Sequence, residues 1–452
     1  MTMKKKQLFG TNGVRGVTGE MMTPELVLKI GMSLGTIRSG TFAVGCDTRT
    51  SGPALVHAVK AGLLATGQNV VELGILPTPA LQYIVKNHYD GGIVITASHN
   101  PPEYNGVKVI EADGTEMSDE EIITLEETLF AETFSVVGWD KVGRETSEPD
   151  GIQEYIDGVI NQFGPGTCAG MTVAVDPGSG PACRTTQEIL TSLGCRVFSI
   201  NSQMDGTFPG RLPEPSPEGL KPLADLVFAT GAAFGVAHDG DADRAVFIDD
   251  TGAYLEENEE FALMQYHVCK NKPGLVVTPV STSMRVEDVA AMTNCRVHYT
   301  KVGSISVART MMALAAAGEP VVFGGEGNGG LIFPEHQHCR DGGMTAAAMA
   351  SLLKSEGKTL SELRTMLPPR HMIKDKIFTD NIPGLLEQVQ LAFAEDEQDL
   401  TDGIRINREN CWALFRPSGT EPFMRLYVEA AKEEEAQAFC DEIMAVIGPK
   451  EN

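Results

Sequence analysis

The sequence predicts an α/β protein: three successive α/β domains with mixed, mostly parallel sheets, followed by a C-terminal α+β domain. Three observations carry this. At 452 residues the chain is several times the usual domain length of about 150 residues. Short β-branched runs alternate with amphipathic stretches in three successive blocks. Beyond Pro368 and Pro369 that alternation stops and strand-like pieces predominate.

In the first block, residues 42–45 read as a strand, 53–66 as a helix, 70–73 as a strand and 80–88 as a helix. The run G-G-I-V-I-T at 91–96 is a buried strand, and 119–130 is an acid-rich helix. A polar, irregular segment at 143–151 precedes the second block, with strands at 172–175, 196–200 and 234–237 and a helix near 185–193. The third block places strands at 275–278, 297–300 and 321–323 between helices at 284–292 and 305–316. In the last 80 or so residues, 372–378, 403–406, 412–415 and 425–428 read as strands of an antiparallel sheet. The expected domains are therefore 1–150, 151–253, 254–369 and 370–452.

Composition narrows the function. Hydrophobic residues at 42% and charged residues at 21% exclude a disordered chain. Sixty-one acids against 36 bases give a net charge of −25, which argues against a nucleic-acid or membrane-surface protein, because both need basic surface. An anionic substrate would require a few well-placed Arg and Lys residues. No targeting segment is recognised, and no apolar run reaches the roughly 18 residues of a membrane helix. The nine cysteines are scattered with no CxxC pair, as expected of reduced thiols in a cytoplasmic protein.

Parallel sheets bind ligands at the carboxyl ends of their strands, and four polar loops fall at such places: 96–101, 239–244, 324–330 and 416–422. Four loops from four domains suggest one site in a shared cleft. Asp239, Asp241 and Asp243 form D-x-D-x-D after an apolar strand. An extended backbone would put the three carboxylates on one face, within reach of a hard cation, Mg²⁺ or Ca²⁺; a solvated acidic turn is the alternative. An EF-hand is excluded, since Arg244 stands where its Gly belongs and Asp250 where its Glu belongs. Ser98 in T-A-S-H-N-P could accept and return a phosphoryl group, with Lys108 supplying charge or a proton; a plain turn serine is the alternative. Gly31-Met-Ser-Leu-Gly35 matches G-x-S-x-G but lies in an expected helix, so it is no nucleophile elbow. Arg416-Pro-Ser-Gly-Thr-Glu-Pro422 has the parts of a phosphate cradle, with Arg425 as a second cation; a Ser/Gly turn is the alternative. The segment 324–330 presents Glu326 and Asn328, suited to sugar hydroxyls or an amine. Residues 331–334 read as strand and turn where a helix would be needed, so the segment is no dinucleotide fingerprint. His336, His338 and Cys339 lack a second ligand pair at zinc spacing and read as a polar loop.

Taken in order, L-F-G-T-N-G-V-R-G at 8–16, T-A-S-H-N-P, D-G-D-A-D-R, G-G-E-x-N-G and R-P-S-G-T-E-P resemble the α-D-phosphohexomutase family over almost the whole chain. The resemblance implies four domains around a central active-site cleft. It implies that Ser98 carries the transferred phosphoryl group, and that Mg²⁺ is bound by Asp239, Asp241, Asp243 and the Ser98 phosphate. Arg15, Lys108 and His99 would assist at the reacting oxygen, Arg15 electrostatically because guanidinium does not deprotonate. Arg244 and Lys301 would contact substrate. Arg416, Ser418, Gly419, Thr420 and Arg425 would clamp the non-reacting phosphate, and Glu326 with Asn328 would read the sugar. A hexose 1,6-bisphosphate would be the intermediate, and the protein a monomer or homodimer.

The G-G-E-x-N-G-G form, with Lys301-Val-Gly-Ser304 lacking a His after K-x-G, is similar to archaeal members that act on glucosamine phosphate. The expected reaction is glucosamine 6-phosphate to glucosamine 1-phosphate, toward UDP-N-acetylglucosamine, with mannose or glucose phosphate as the alternative. A Mg²⁺-dependent sugar-phosphate phosphatase with an Asp nucleophile is disfavoured, because here the triad is mid-chain and continues into Asp243-Arg244-Ala245. A non-catalytic sugar-phosphate binding protein is a further alternative.

Overall fold

A computed structural model describes residues 6–379, 381–417 and 423–448. The chain divides into two compact units, residues 1–260 with 328–362 and residues 261–327 with 363–452.

The first unit opens with strands β1 (Val14–Val17), β2 (Thr41–Cys46), β3 (Asn69–Ile75), β4 (Gly91–Ile95), β5 (Tyr104–Glu111) and β6 (Glu145–Ser147). They form one sheet in the order β1-β5-β4-β2-β3-β6. Strands β4, β2, β3 and β6 run parallel, whereas β5 and β1 are added antiparallel. Helices α1 (Pro24–Ile37), α2 (Gly52–Ala65) and α4 (Asp119–Ala131) share one apolar core with the sheet, while α3 (Thr78–His88) presses Leu81 and Val85 towards Gly92 of β4. Helix α1 starts where the sequence supplies a cap: the Thr23 hydroxyl accepts from the Leu26 N–H at 3.2 Å, with Pro24 just inside.

A second sheet follows α5 (Ile152–Phe163). It comprises β7 (Thr172–Asp176), β8 (Arg196–Ser199), β9 (Phe234–His238), β10 (Ala245–Asp249) and β11 (Tyr254–Leu255), ordered β11-β10-β9-β7-β8, with helices α6 (Thr186–Ser192) and α7 (Lys221–Thr230). Only β8, β7 and β9 are mutually parallel.

The boundary between the units falls inside α8 (Glu257–Cys269). In the second unit β12 (Leu275–Pro279) pairs in parallel with β13 (Arg296–Thr300) and β14 (Val321–Glu326), with α9 (Arg285–Thr293) and α10 (Ser304–Ala316) between them. The chain then returns to the first unit for β15 (Gly330–Ile332) and α11 (Gly342–Glu356), and re-enters the second within α12 (Leu360–Arg364). The last sheet is antiparallel throughout: β16 (His371–Phe378), β17 (Glu397–Asp399), β18 (Ile404–Asn407), β19 (Cys411–Pro417) and β20 (Phe423–Ala430), ordered β16-β20-β19-β18-β17. Helices α13 (Ile382–Ala392) and α14 (Glu433–Ile447) cover one face. Three parallel-centred sheets and one antiparallel sheet match the expected fold class. Among the described residues, no helix is long and apolar enough to cross a membrane.

Three local expectations are corrected. Residues 239–243 form a turn after β9 instead of an extended run, and Ala242 takes a left-handed φ of 59°. Gly324, Gly325 and Glu326 continue β14 as strand, so the loop at 324–330 shrinks to the turn 327–329. The segment at His336–Cys339 is a loop, as expected, but a buried one: His336 stacks on Tyr83 with ring centroids 4.7 Å apart, and Cys339 is buried too. Asp341 accounts for much of that burial, accepting from Tyr155 Oη at 2.6 Å and Gln337 Nε2 at 2.7 Å while capping α11.

Candidate active site

Ser98 follows β4 and holds a left-handed φ of 48°, a strained conformation for a non-glycine residue that here turns its side chain towards the aspartate turn. Two residues make the turn rigid. Asp47, at the end of β2, accepts from Thr96 Oγ1 at 2.7 Å and from Arg49 Nε at 3.1 Å, and Thr96 Oγ1 accepts from the Ser98 N–H at 2.9 Å. The fully buried Arg49 guanidinium donates to the carbonyls of Ser98 (2.8 Å), Asn100 (2.6 Å), Pro101 (2.5 Å) and Tyr104 (3.0 Å). One side chain thereby ties together four carbonyls between residues 98 and 104.

The aspartate turn is held as firmly. His238 joins its two ends, with Nδ1 at 2.9 Å from the Arg244 carbonyl and Nε2 at 2.9 Å from Thr186 Oγ1; burial lowers this ring's pKa to about 4, so it is neutral. Gly240 is required where the two loops touch, since a Cβ there would stand 2.2 Å from the Ser98 carbonyl oxygen. Asp239, Asp241 and Asp243 are all buried, with one oxygen from each within 4.8 Å of the others.

Ser98 Oγ donates to Asp239 Oδ2 at 2.8 Å and lies 3.3 Å from His99 Nδ1. Lys108 rises from β5 with only 1% exposure and donates to Asp241 (2.8 Å) and Asp243 (3.1 Å). Arg340 donates to Asp243 at 2.5 Å, and Arg244 spans Asp239 (3.3 Å) and Glu214 (3.1 Å). Thr78 Oγ1 donates to Asp241 at 2.6 Å. Arg15 on β1 reaches the same loop through Asn100 Oδ1 at 3.1 Å. The sequence-predicted residues Arg15, Ser98, His99, Lys108, Asp239, Asp241, Asp243 and Arg244 thus share one hydrogen-bonded region of the first unit. Sequence reading missed Asp47, Arg49, Thr78, Glu214 and Arg340. The signal for Asp47 and Arg49 was present, since D-T-R begins two residues after the strand expected at 42–45.

The three carboxylates are close enough to hold a metal ion, and their surroundings set their charge. Burial and the Asp243 charge push the Asp239 carboxyl up to about 7, against the pull of Arg244. Burial acts the same way on Asp243, but Arg340, Lys108 and Arg244 outweigh it and hold that carboxyl well below its usual range. Burial also opposes the Lys108 charge, yet Asp241 and Asp243 raise its pKa, so it stays an ammonium. Burial, reinforced by Arg244, lowers the His99 pKa to about 4. Asp241 Oδ1 and Asp243 Oδ1 are buried with no hydrogen-bond partner. Two orphaned carboxylate oxygens beside a third carboxylate are the donor set of a hard divalent ion, so the residues present fit Mg²⁺.

Asn328, in the first unit, accepts from the Gly330 N–H at 3.1 Å. In the second unit, Lys301 is exposed just after β13, and Glu326 is buried at the end of β14. Arg416 on β19 donates through Nε to Asp402 at 2.8 Å and stands opposite Arg425 of β20. Arg425 in turn stands opposite Lys376 of β16, which sequence reading did not select. Three cations in one cross-strand row repel one another, an arrangement suited to receiving an anion. Ser418, Gly419 and Thr420 lie outside the described residues.

Comparison with known proteins identifies the family. Models of the phosphoglucomutase/phosphomannomutase α/β/α domains I, II and III match residues 6–136, 153–252 and 256–371, and that of the C-terminal domain matches 374–446. A phosphoglucomutase/phosphomannomutase of Thermococcus kodakarensis is 42% identical over 449 residues, 96% of this chain and 97% of that protein. A phosphoglucosamine/phosphogalactosamine mutase of Sulfurisphaera tokodaii is 37% identical over 98% of this chain and 100% of its own. The crystal structure of a phosphoglucomutase/phosphomannomutase family protein from Burkholderia thailandensis superposes with a TM-score of 0.87 at 24% identity, covering 98% of this chain and 99% of that one. The chain therefore belongs to the phosphoglucomutase/phosphomannomutase family and is an isomerase of that kind.

Proposed function

We propose that the protein is a phosphoglucosamine mutase, interconverting glucosamine 6-phosphate and glucosamine 1-phosphate through a phosphoserine at Ser98. The observation that carries the chemistry is the Ser98 hydroxyl hydrogen-bonded to Asp239 within the buried aspartate triad. Phospho-Ser98 donates its group to the free hydroxyl of the hexose phosphate: a P–O bond forms to the sugar, the bond to Oγ breaks, and the hydroxyl proton leaves. The resulting bisphosphate reorients and returns its other phosphoryl group to Ser98. Bound Mg²⁺ would be held by Asp239, Asp241 and Asp243 and would neutralise charge on the transferred group.

Charge balance supports this assignment. Asp239, Asp241 and Asp243 are paired with Lys108, Arg244 and Arg340 in the unphosphorylated protein, Arg244 being shared with Glu214. A phosphoserine adds about two negative charges, which one divalent ion offsets. Lys108 and Arg15 serve as electrostatic partners of the moving phosphoryl group. His99, neutral near pH 7, contributes hydrogen bonding beside Ser98 Oγ. Arg244 and Lys301 contact substrate, Glu326 and Asn328 read the sugar, and Arg416, Ser418, Gly419, Thr420 and Arg425 hold the phosphate that does not react.

Glucosamine is placed first on the G-G-E-x-N-G-G form at 324–330 and on the Sulfurisphaera tokodaii relative. The name of the Thermococcus kodakarensis relative favours mannose or glucose phosphate as a second reading. Coupled assays of kcat/KM with the 1- and 6-phosphates of glucosamine, mannose and glucose decide between them. Glucosamine phosphate should lead; turnover of it far below the other two overturns the ranking.

A further inference from the structure

In the second unit the last sheet packs against the ends of β12 and β13 through an apolar seam, with Val280, Trp412 and Leu414 buried and Tyr299 and Val302 packed against them. Two buried charged side chains lock the seam. Glu429 of β20 accepts from Trp412 Nε1 at 2.7 Å, from the Met284 N–H at 2.7 Å and from Ser283 Oγ, just before α9. Arg405 of β18 lies between the rings of Tyr299 on β13 and Trp412 on β19, 4.5 and 4.3 Å from their centroids, and donates to the Val280 carbonyl at 2.8 Å. Buried polar groups with specific partners hold one arrangement, so the start of β18 is fixed against the end of β13.

Asp402 stands in the turn between β17 and β18. Gly403 lets that turn lie against β19: its φ is 86°, and a Cβ there would stand 2.1 Å from the Phe415 carbonyl oxygen. One carboxylate oxygen of Asp402 then accepts two bonds. Oδ2 takes the Val302 N–H at 2.9 Å, from the K-V-G-S loop after β13, and Arg416 Nε at 2.8 Å, from the first residue of R-P-S-G-T-E-P. The two side chains of the ion pair are only 21% and 22% exposed. The loops joined here carry Lys301 and Arg416, both assigned above to substrate. By its charge alone, a carboxylate beside an anion site opposes binding. The shared oxygen supplies a gain of another kind, since it fixes the separation of the two loops.

We propose that Asp402 is a positioning residue: by holding the Val302 N–H and Arg416 Nε on one oxygen, it sets the spacing between the loop that meets the hexose and the guanidinium that grips its non-reacting phosphate. The inference rests on the substrate roles proposed for Lys301 and Arg416. With Nε bound to Asp402, Arg416 meets a phosphate through its terminal nitrogens. A hexose phosphate carries its sugar hydroxyls and its phosphate at a set distance, so it binds best where that distance is already built into the protein. The same clamp receives the 6-phosphate in one direction and the 1-phosphate in the other, and both directions depend on Asp402.

The test compares Asp402→Ala and the isosteric Asp402→Asn with the unaltered full-length protein, assayed in both directions on whichever hexose phosphate that protein turns over fastest. The unaltered protein's sugar ranking tests the proposed function; the ratios of variant to unaltered protein test Asp402. Loss of the charge-assisted hydrogen bond should raise KM about tenfold in Asp402→Ala and leave kcat within about twofold. Asp402→Asn, which can still accept, should recover part of the loss. Calorimetric affinity for glucose 6-phosphate and glucosamine 6-phosphate should weaken by the same factor as KM rises. Added to Arg416→Ala, Asp402→Ala should raise KM less than about twofold further, because the group it positions is gone. A KM unchanged or lowered in both variants, as removal of a repulsive charge alone would give, overturns the proposal. So does a fall in kcat or in melting midpoint with KM unmoved, or the full effect persisting beside Arg416→Ala.

Discussion

The buried Ser98–aspartate centre of the first unit and the cationic row of the second solve opposite electrostatic problems. Around Ser98, three carboxylates and three cations are packed with almost no exposure, each contact within hydrogen-bonding distance. Charges buried this way are tolerated only when paired, so the centre is rigid and sensitive to single changes. In the C-terminal sheet, Lys376, Arg425 and Arg416 stand side by side across three strands, with Arg425 exposed. Solvent screens that repulsion, Arg416 is offset by its ion pair with Asp402, and the exposed Lys376 and Arg425 present the row's charge to an incoming anion. The first arrangement suits chemistry, the second capture. Mutations should therefore act on kcat in one region and on KM in the other.

The largest effect is expected at Ser98. Ser98→Ala should lower kcat by roughly 10⁴-fold or more while the melting midpoint holds, because the group that carries the phosphoryl is gone. Retention of most activity would point to an aspartate-nucleophile hydrolase. Next, Asp243→Asn should weaken the apparent Mg²⁺ affinity by about 100-fold, read as a rightward shift in Mg²⁺ titrations of activity after chelation. It also leaves Lys108 and Arg340 without their shared carboxylate, so thermal stability should fall as well.

Legibility in the sequence was a matter of locality. D-x-D-x-D, T-A-S-H-N-P and the alternating strands at 42–45, 70–73 and 91–96 are local signals, and the parallel cores could be read from them. Strand β5 could not: its polar Tyr104-Asn-Gly and the buried Lys108 make sense only once Asp241 and Asp243, more than a hundred residues on, neutralise the ammonium. Arg340 was invisible for the same reason, since its partner Asp243 is 97 residues away. The triad's turn was misread as extended because alternation of Asp suggests a strand, whereas Ala242 at positive φ folds the carboxylates together. Lys376 was missed because only the antiparallel register sets it beside Arg425.

Smaller effects sharpen the contrast. Arg49→Ala removes the guanidinium that donates to the carbonyls of Ser98, Asn100, Pro101 and Tyr104 and to Asp47, which keeps its Thr96 donor; a destabilisation of about 3 kcal/mol is expected, measured by denaturant unfolding, together with reduced kcat. Lys376→Ala should raise KM about fivefold and leave kcat and melting midpoint unchanged, the difference shrinking in high salt. If it lowers kcat instead, the row takes part in chemistry and the contrast fails.

The most direct measurement is the phosphorylation state of residue 98. Incubation with a hexose 1,6-bisphosphate and Mg²⁺, followed by intact mass and peptide mapping, should show a single phosphoryl group on Ser98 that disappears on exchange with excess hexose monophosphate. A phosphoryl group on any other residue, or none under conditions where the sugar phosphates interconvert, contradicts the account.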